Sequence, residues 1–136
     1  MVKADRIDHI GIVVRSIEEK LGFYRSFLGL ELDGIEELPE RGLKVAFLKV
    51  GDTRIELLES TKSDSEISGF LEKRGEGIHH IAYHVDDIVE AIKKASSMGY
   101  RPLSKEPAVG AGGVKVAFLH PKTTGGILVE LVEGSH

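Results

Sequence analysis

The sequence predicts an α+β fold: two tandem β-α-β-β-β modules forming a curved mixed sheet with a metal-binding concave cup. Three observations predict it. The pentamer Lys44-Val45-Ala46-Phe47-Leu48 recurs letter for letter as Lys115-Val116-Ala117-Phe118-Leu119, an offset of 71 residues. The same offset carries Asp8-His9-Ile10-Gly11 onto His79-His80-Ile81-Ala82. Each pentamer is followed by an apolar run enclosing a glutamate, Ile55-Glu56-Leu57-Leu58 and then Val129-Glu130-Leu131-Val132. Each half thus brings one histidine near its start and one glutamate near its end.

The elements follow in order. Apolar residues alternate from Arg6 to Val14, which predicts a strand. Ser16-Ile17-Glu18-Glu19 is a capping-box pattern. Ile17, Leu21, Tyr24, Phe27 and Leu28 then recur at helical spacing, with Gly29 as the residue that ends the helix. A weaker strand over Glu31 to Glu37, a turn at Pro39 to Gly42, a strand from Lys44 to Val50, a tight turn at Gly51-Asp52 and a strand from Arg54 to Glu59 complete module one. Polar residues from Thr61 to Arg74 hold Ile67, Phe70 and Leu71 at the spacing of a short helix, ending at a hinge, Gly75-Glu76-Gly77. Module two repeats the order: a strand from His79 to Val85, then a helix opened by Asp87 with Ile88, Ala91, Ile92, Ala95 and Met98 on one face and closed by Gly99. A weak strand over Arg101 to Lys105, a glycine-rich loop from Gly110 to Gly113, and strands Val114 to His120 and Ile127 to Glu133 follow. The glutamates are offset by 74, and the three extra residues fall in the loop His120 to Gly126. The reading is one domain over 1–136, with module one at about 6–60, a connecting short helix at about 61–77 and module two at about 78–133.

Composition narrows the chemistry. A chain of 136 residues, 41% hydrophobic and 29% charged, is long enough to bury one core. A net charge of −4 argues against nucleic acid as a partner. No apolar run reaches the roughly 18 residues of a membrane span, and no targeting segment is visible, so the expected location is the cytoplasm. The terminal Gly134-Ser135-His136 reads as an appended tail and carries no argument. With no cysteine, any metal must be held by imidazole, carboxylate, amide or water, a donor set suited to Zn, Co, Mn, Ni or Fe.

Strand alternation places His9, Gly11 and Val13 on one face and Ile10, Ile12 and Val14 on the other, turned to the helix. His80, Ala82 and His84 are the counterparts in module two, and Glu56 and Glu130 point away from their apolar neighbours. Small residues (Gly11, Ala82) beside the histidines leave room for a ligand. His9, Glu56, His80 and Glu130 are therefore the candidate metal ligands, a donor set that leaves coordination positions for water or a bidentate substrate. Taken singly, each has a structural alternative, a satisfied strand histidine or a glutamate on an exposed edge. Their repeat-equivalent positions favour the joint reading. His79 is read as a backbone-bonded or exposed residue, His84 as a wall residue, Asp8 as a strand-end residue, and His120 as either structural or a substrate contact. Gly110 to Gly113 is a flap or a plain connection.

Paired modules of this order, with a histidine near each start and a glutamate near each end, resemble the vicinal oxygen chelate superfamily. The stretches Leu38-Pro39-Glu40-Arg41-Gly42 and Gly77-Ile78-His79-His80-Ile81-Ala82, and the tail from Gly110 through His120-Pro121-Lys122 to Leu131, are similar to its methylmalonyl-CoA epimerase branch. The resemblance implies one divalent metal ion, Co or Mn favoured over Zn or Ni, held by His9, Glu56, His80 and Glu130. It implies epimerisation of an acyl-CoA substrate at C2 through a metal-stabilised enolate, a cytoplasmic location and a homodimer. Some epimerases of the branch carry a second base on the third strand of module one, where this chain has Val45. Glu130 and Glu56 are then the expected catalytic bases, with Lys122 and the backbone of Gly112 and Gly113 as weaker substrate contacts. The same four ligands would also serve a glyoxalase-I-type lyase or isomerase acting on a glutathione hemithioacetal.

Overall fold

The computed structural model describes residues 2–135, so His136 of the terminal tripeptide lies outside it. Contacts divide the chain into two compact units, one of His9–His79 and the other of the chain up to Asp8 and from His80 on. The first holds the second half of β1 (Ala4–Val13), then α1 (Ile17–Leu21), β2 (Glu31–Leu38), β3 (Leu43–Val50), β4 (Thr53–Ser60) and α2 (Ser68–Arg74). The second holds most of β5 (Gly77–Val85), then α3 (Ile88–Ser97), β6 (Ala108–Val109), β7 (Lys115–Leu119) and β8 (Val129–Glu133). The β-α-β-β-β order predicted from sequence is therefore present twice.

Strand order is β2-β3-β4-β1 in the first unit and β5-β8-β7-β6 in the second. In each, the first strand lies parallel to the last, and the strands between are antiparallel hairpins. The β3–β4 hairpin turns through Gly51-Asp52, where Gly51 supplies the positive φ (58°) that so short a connection demands. Its counterpart between β7 and β8 runs over residues 120–128, and this is where the three extra residues sit.

Helices α1 and α3 open as the sequence predicts. The Ser16 hydroxyl accepts the Glu19 N–H at 3.2 Å, and the Asp87 carboxylate accepts the Glu90 N–H at 3.1 Å. Each helix then lays its apolar face on its own sheet. Val14, Ile17, Ala46, Leu48 and Leu57 form one core, with Ile12, Leu21 and Tyr24 against it; Val85, Ile88, Ala91, Ile92, Ala117 and Leu131 form the other. A wholly buried side chain such as Ile88 contributes about 2 kcal/mol. The alanine of each repeated pentamer thus lies under a helix, where a small side chain lets helix and sheet approach closely.

Four expectations are corrected. Phe27 and Leu28 do not face the core: α1 gives way to a π-helical turn over Gly22–Phe27, in which the Leu28 N–H bonds the Phe23 carbonyl at 3.0 Å. The wider turn takes these residues off the helical stripe, leaving Phe27 76% exposed. Met98 is exposed because the helix has ended there, in a non-helical cap. Arg101 to Lys105 is no strand; Pro102, which has no N–H to donate, makes one isolated bridge to Leu119. The short strand is Ala108–Val109 instead. Asp8 is not at a strand end but buried within β1. Among the described residues no helix is long and apolar enough to cross a membrane.

Candidate metal centre

The first donor pair is built by the parallel pairing of β1 and β4. Gly11 lies in register with Glu56, and His9, two residues earlier, shares its face. On the other side of β4, Phe47 is the cross-strand partner of Glu56. The His9 Nδ1 lies 3.3 Å from Glu56 Oε2, and both side chains are about 95% buried. The Phe47 ring itself takes the Arg54 guanidinium at 4.9 Å, and Arg54 is in turn paired with Asp33.

The second pair repeats the construction within the other unit. Ala82 is in register with Glu130, and Phe118 is its cross-strand partner. The His80 Nε2 lies 3.0 Å from Glu130 Oε1, again with both groups buried. Here the phenylalanine meets the histidine: the Phe118 and His80 rings are 5.8 Å apart and close to perpendicular, at 84°.

Two buried His–Glu pairs are costly for a fold to keep unless something uses their charge and lone pairs. Their spacing suits a metal. Two donors bound at right angles, each about 2.1 Å from an ion, lie about 3.0 Å apart. Each pair can therefore offer one imidazole nitrogen and one carboxylate oxygen to adjacent coordination positions, without thiolate and with hard and borderline donors only.

His84, His79 and His120 each have a partner within the fold. The His84 Nδ1 hydrogen bonds the Asp5 carboxylate at 2.7 Å, and this bond holds the Asp5 carboxyl below its ordinary range. The His79 ring packs edge-on against Phe70 at 5.2 Å. The His120 Nδ1 accepts the Lys122 N–H at 3.1 Å, capping a short 3₁₀ turn over Pro121–Thr123. Lys122 is exposed, as are Gly112 and Gly113, both in positive-φ conformations (78° and 81°) that favour glycine.

Sequence reasoning missed Phe118, although its signal was present. The repeated pentamer sets its phenylalanine opposite the site glutamate in both halves. It also missed Glu59 and Glu133, three residues beyond the site glutamates. Their carboxylates accept the N–H of the first residue of α1 and of α3, Ile17 at 2.8 Å and Ile88 at 3.0 Å.

A model of the Glyoxalase/Bleomycin resistance protein/Dioxygenase superfamily matches residues 8–118. The ethylmalonyl-CoA/methylmalonyl-CoA epimerase of Cereibacter sphaeroides is 44% identical over 128 residues, covering 93% of this chain and 96% of the relative. The mitochondrial methylmalonyl-CoA epimerase of Mus musculus is 42% identical over 130 residues, 95% of this chain and 73% of the relative. A solved methylmalonyl-CoA epimerase in complex with methylmalonyl-CoA and NH4+ superposes with a TM-score of 0.92 at 37% identity, covering 98% of this chain and 96% of that one.

Proposed function

We propose that this chain, which belongs to the Glyoxalase/Bleomycin resistance protein/Dioxygenase superfamily, is an epimerase that interconverts (R)- and (S)-methylmalonyl-CoA. The observation that carries the reading is a buried His–Glu pair at repeat-equivalent positions in a chain similar along most of its length to such epimerases. His9, Glu56, His80 and Glu130 would together hold one divalent ion, Co or Mn by family resemblance. When bound, the ion supplies Lewis-acid stabilisation of the negative charge that develops on the substrate oxygens.

The chain's own residues supply the proton transfers. The hydrogen at C2 is acidified by the thioester and carboxylate on either side of it. Glu130 takes that proton as a carboxylate base on one face of the substrate. Glu56, its repeat counterpart, serves the opposite face: holding a proton as the carboxylic acid, it delivers that proton to C2 and inverts the centre, which leaves Glu130 protonated and Glu56 ionised for the reverse direction. Val45 is a buried apolar residue and has no proton to offer, so the base that some relatives carry at this position has no equivalent on it. The small residues in register with the two glutamates, Gly11 and Ala82, leave room for the substrate to approach them. Lys122 and the backbone N–H groups of Gly112 and Gly113, all exposed, are available to the acyl-CoA, whose anionic phosphates suit a lysine. The protein works as a cytoplasmic homodimer in this reading.

The test is solvent-deuterium exchange into methylmalonyl-CoA by chelated and metal-reloaded protein. Exchange at C2 with loss of stereochemical purity, abolished by the chelator and restored by Co²⁺ or Mn²⁺, is expected. No exchange with any divalent ion would exclude this substrate and turn the search to glutathione hemithioacetals.

A further inference from the structure

We infer that Phe118 is the positioning residue of the second donor pair, holding His80 and Glu130 in the arrangement a metal requires. The inference rests on the metal-site reading above. Three observations carry it. Phe118 is the cross-strand register partner of Glu130 in the antiparallel β7–β8 ladder, so the two side chains stand on one face. Residues so paired have Cβ atoms about 4.5–5.5 Å apart. The Phe118 ring also stands edge-on to the His80 imidazole, with centroids 5.8 Å apart and planes at 84°. One ring therefore bounds both donors.

The physical need is specific. The last torsion of a histidine side chain is broad and roughly two-fold, so the backbone alone does not decide which ring nitrogen faces the ion. A flat ring packed at right angles removes part of that freedom and favours the rotamer in which Nε2 faces Glu130 at 3.0 Å. It also covers one side of the pair with a surface that offers water no hydrogen bond. The corresponding ring in the first unit is Phe47, which is paired in register with Glu56 and carries the Arg54 guanidinium on its face. The repeated pentamer thus supplies an aromatic ring beside each site glutamate, and in the second half that ring is in contact with the histidine.

The test is Co²⁺ binding to the purified full chain, followed by titration and by the visible d–d absorption of the bound ion. Phe118→Ala should lower Co²⁺ affinity roughly 10–100-fold, the range found when groups supporting metal ligands are removed, and should alter the d–d spectrum. Phe118→Tyr, which keeps the ring, should stay within about threefold of the unmodified protein. Phe118→Leu, which keeps the apolar volume, tests the same point if the alanine variant does not fold. Ile92→Ala, in the core beneath α3, should destabilise the unit while leaving affinity and spectrum unchanged. A folded Phe118→Ala or Phe118→Leu protein with unchanged affinity and spectrum overturns the inference, as does an equal loss of affinity in Ile92→Ala. If the unmodified protein binds no divalent ion, the metal reading itself fails, an outcome separate from the other two.

Discussion

In the His9–His79 unit, Glu56 sits in an eight-residue strand joined to its neighbour by a two-residue turn, and the other edge is another eight-residue strand. In the second unit, Glu130 sits in a five-residue strand reached through a long connection, and the outer strand has shrunk to two residues. In the first unit α1 breaks into a π-helical turn after five residues; in the second α3 runs regularly for ten. Against this divergence, a few contacts are held in common. Each glutamate has a small residue in register on one side and a phenylalanine on the other. Each histidine stands two residues before the small residue on the same strand. α1 and α3 are each capped by a side chain at the start and tied to the last strand of the unit by a glutamate three residues beyond the site glutamate. What the two halves share is what aims the donors; what they do not share lies at edges and loops, where length costs little.

The sharpest way to break this equivalence is to remove one glutamate at a time. Glu130→Gln and Glu56→Gln should each slow epimerisation by about 10²–10⁴-fold, the usual loss on deleting a general base. The two variants should differ in what survives. With one base left, the epimer that faces it should still exchange its C2 hydrogen with solvent but return it to the same face, giving deuterium uptake without inversion. Glu130→Gln and Glu56→Gln should leave exchange on opposite epimers. Following each pure epimer by NMR in D₂O checks this. Full turnover in Glu56→Gln would make Glu56 a ligand alone and end the symmetry of the chemistry.

Much of this frame was legible in the sequence because it was written twice. The pentamer and the His–Ile pair each fix a strand and a register, and alternation within a strand assigns faces without knowledge of the partner. The capping signals at Ser16 and Asp87 name the helix starts for the same local reason. The misses are non-local. Nothing in the spacing of Phe27 and Leu28 announces the extra residue of a π-helical turn. The repeated order calls for a strand near Pro102, but Arg101 to Lys105 has no β-branched or aromatic residue and Pro102 lacks the donor a ladder needs. Asp8 looks terminal because nothing in its own stretch of sequence marks the burial it has within β1. Phe118 could be seen as a repeated letter, but its role depends on a register across β7 and β8 that only the fold supplies.

A second comparison concerns the shared anchor. Glu59 and Glu133 each place a carboxylate on the N-terminal N–H of a helix, where the bond is charge-assisted and the helix dipole adds to it. Glu59→Ala and Glu133→Ala should each cost about 1–2 kcal/mol of stability, read as a lower urea midpoint at constant slope. Glu59→Ala should cost more. Its helix has only five regular residues, too few to persist without tertiary support, whereas α3 has ten and its own buried face. An equal loss in the two variants would mean that helix length does not set the dependence on the anchor.

The smallest expected effect separates the units by pH. In the first, Glu76 accepts the Arg15 N–H at 2.8 Å and pairs with Lys20 at 2.9 Å. The backbone bond from Arg15, then the bond from Lys20, holds the Glu76 carboxyl below its ordinary range, while Glu76 raises Lys20 above its own. In the second unit, the His84 bond does the same to Asp5. A lowered carboxyl contributes stability that is present above its unfolded pKa and lost as pH falls through the lower folded value. A raised lysine contributes below its unfolded pKa and loses that contribution as pH rises through its folded value. The Lys20–Glu76 contribution should therefore be constant through neutrality and decline at both ends. Glu76→Gln should flatten part of the acid limb and weaken the alkaline one, whereas Asp5→Asn should flatten part of the acid limb and leave the alkaline one as it is. Both changes should shrink at 1 M salt, because these groups meet solvent and are screened. Urea midpoints of the two variants across pH, at low and high salt, check it; an unchanged alkaline limb in Glu76→Gln would show that Lys20 gains nothing from its partner.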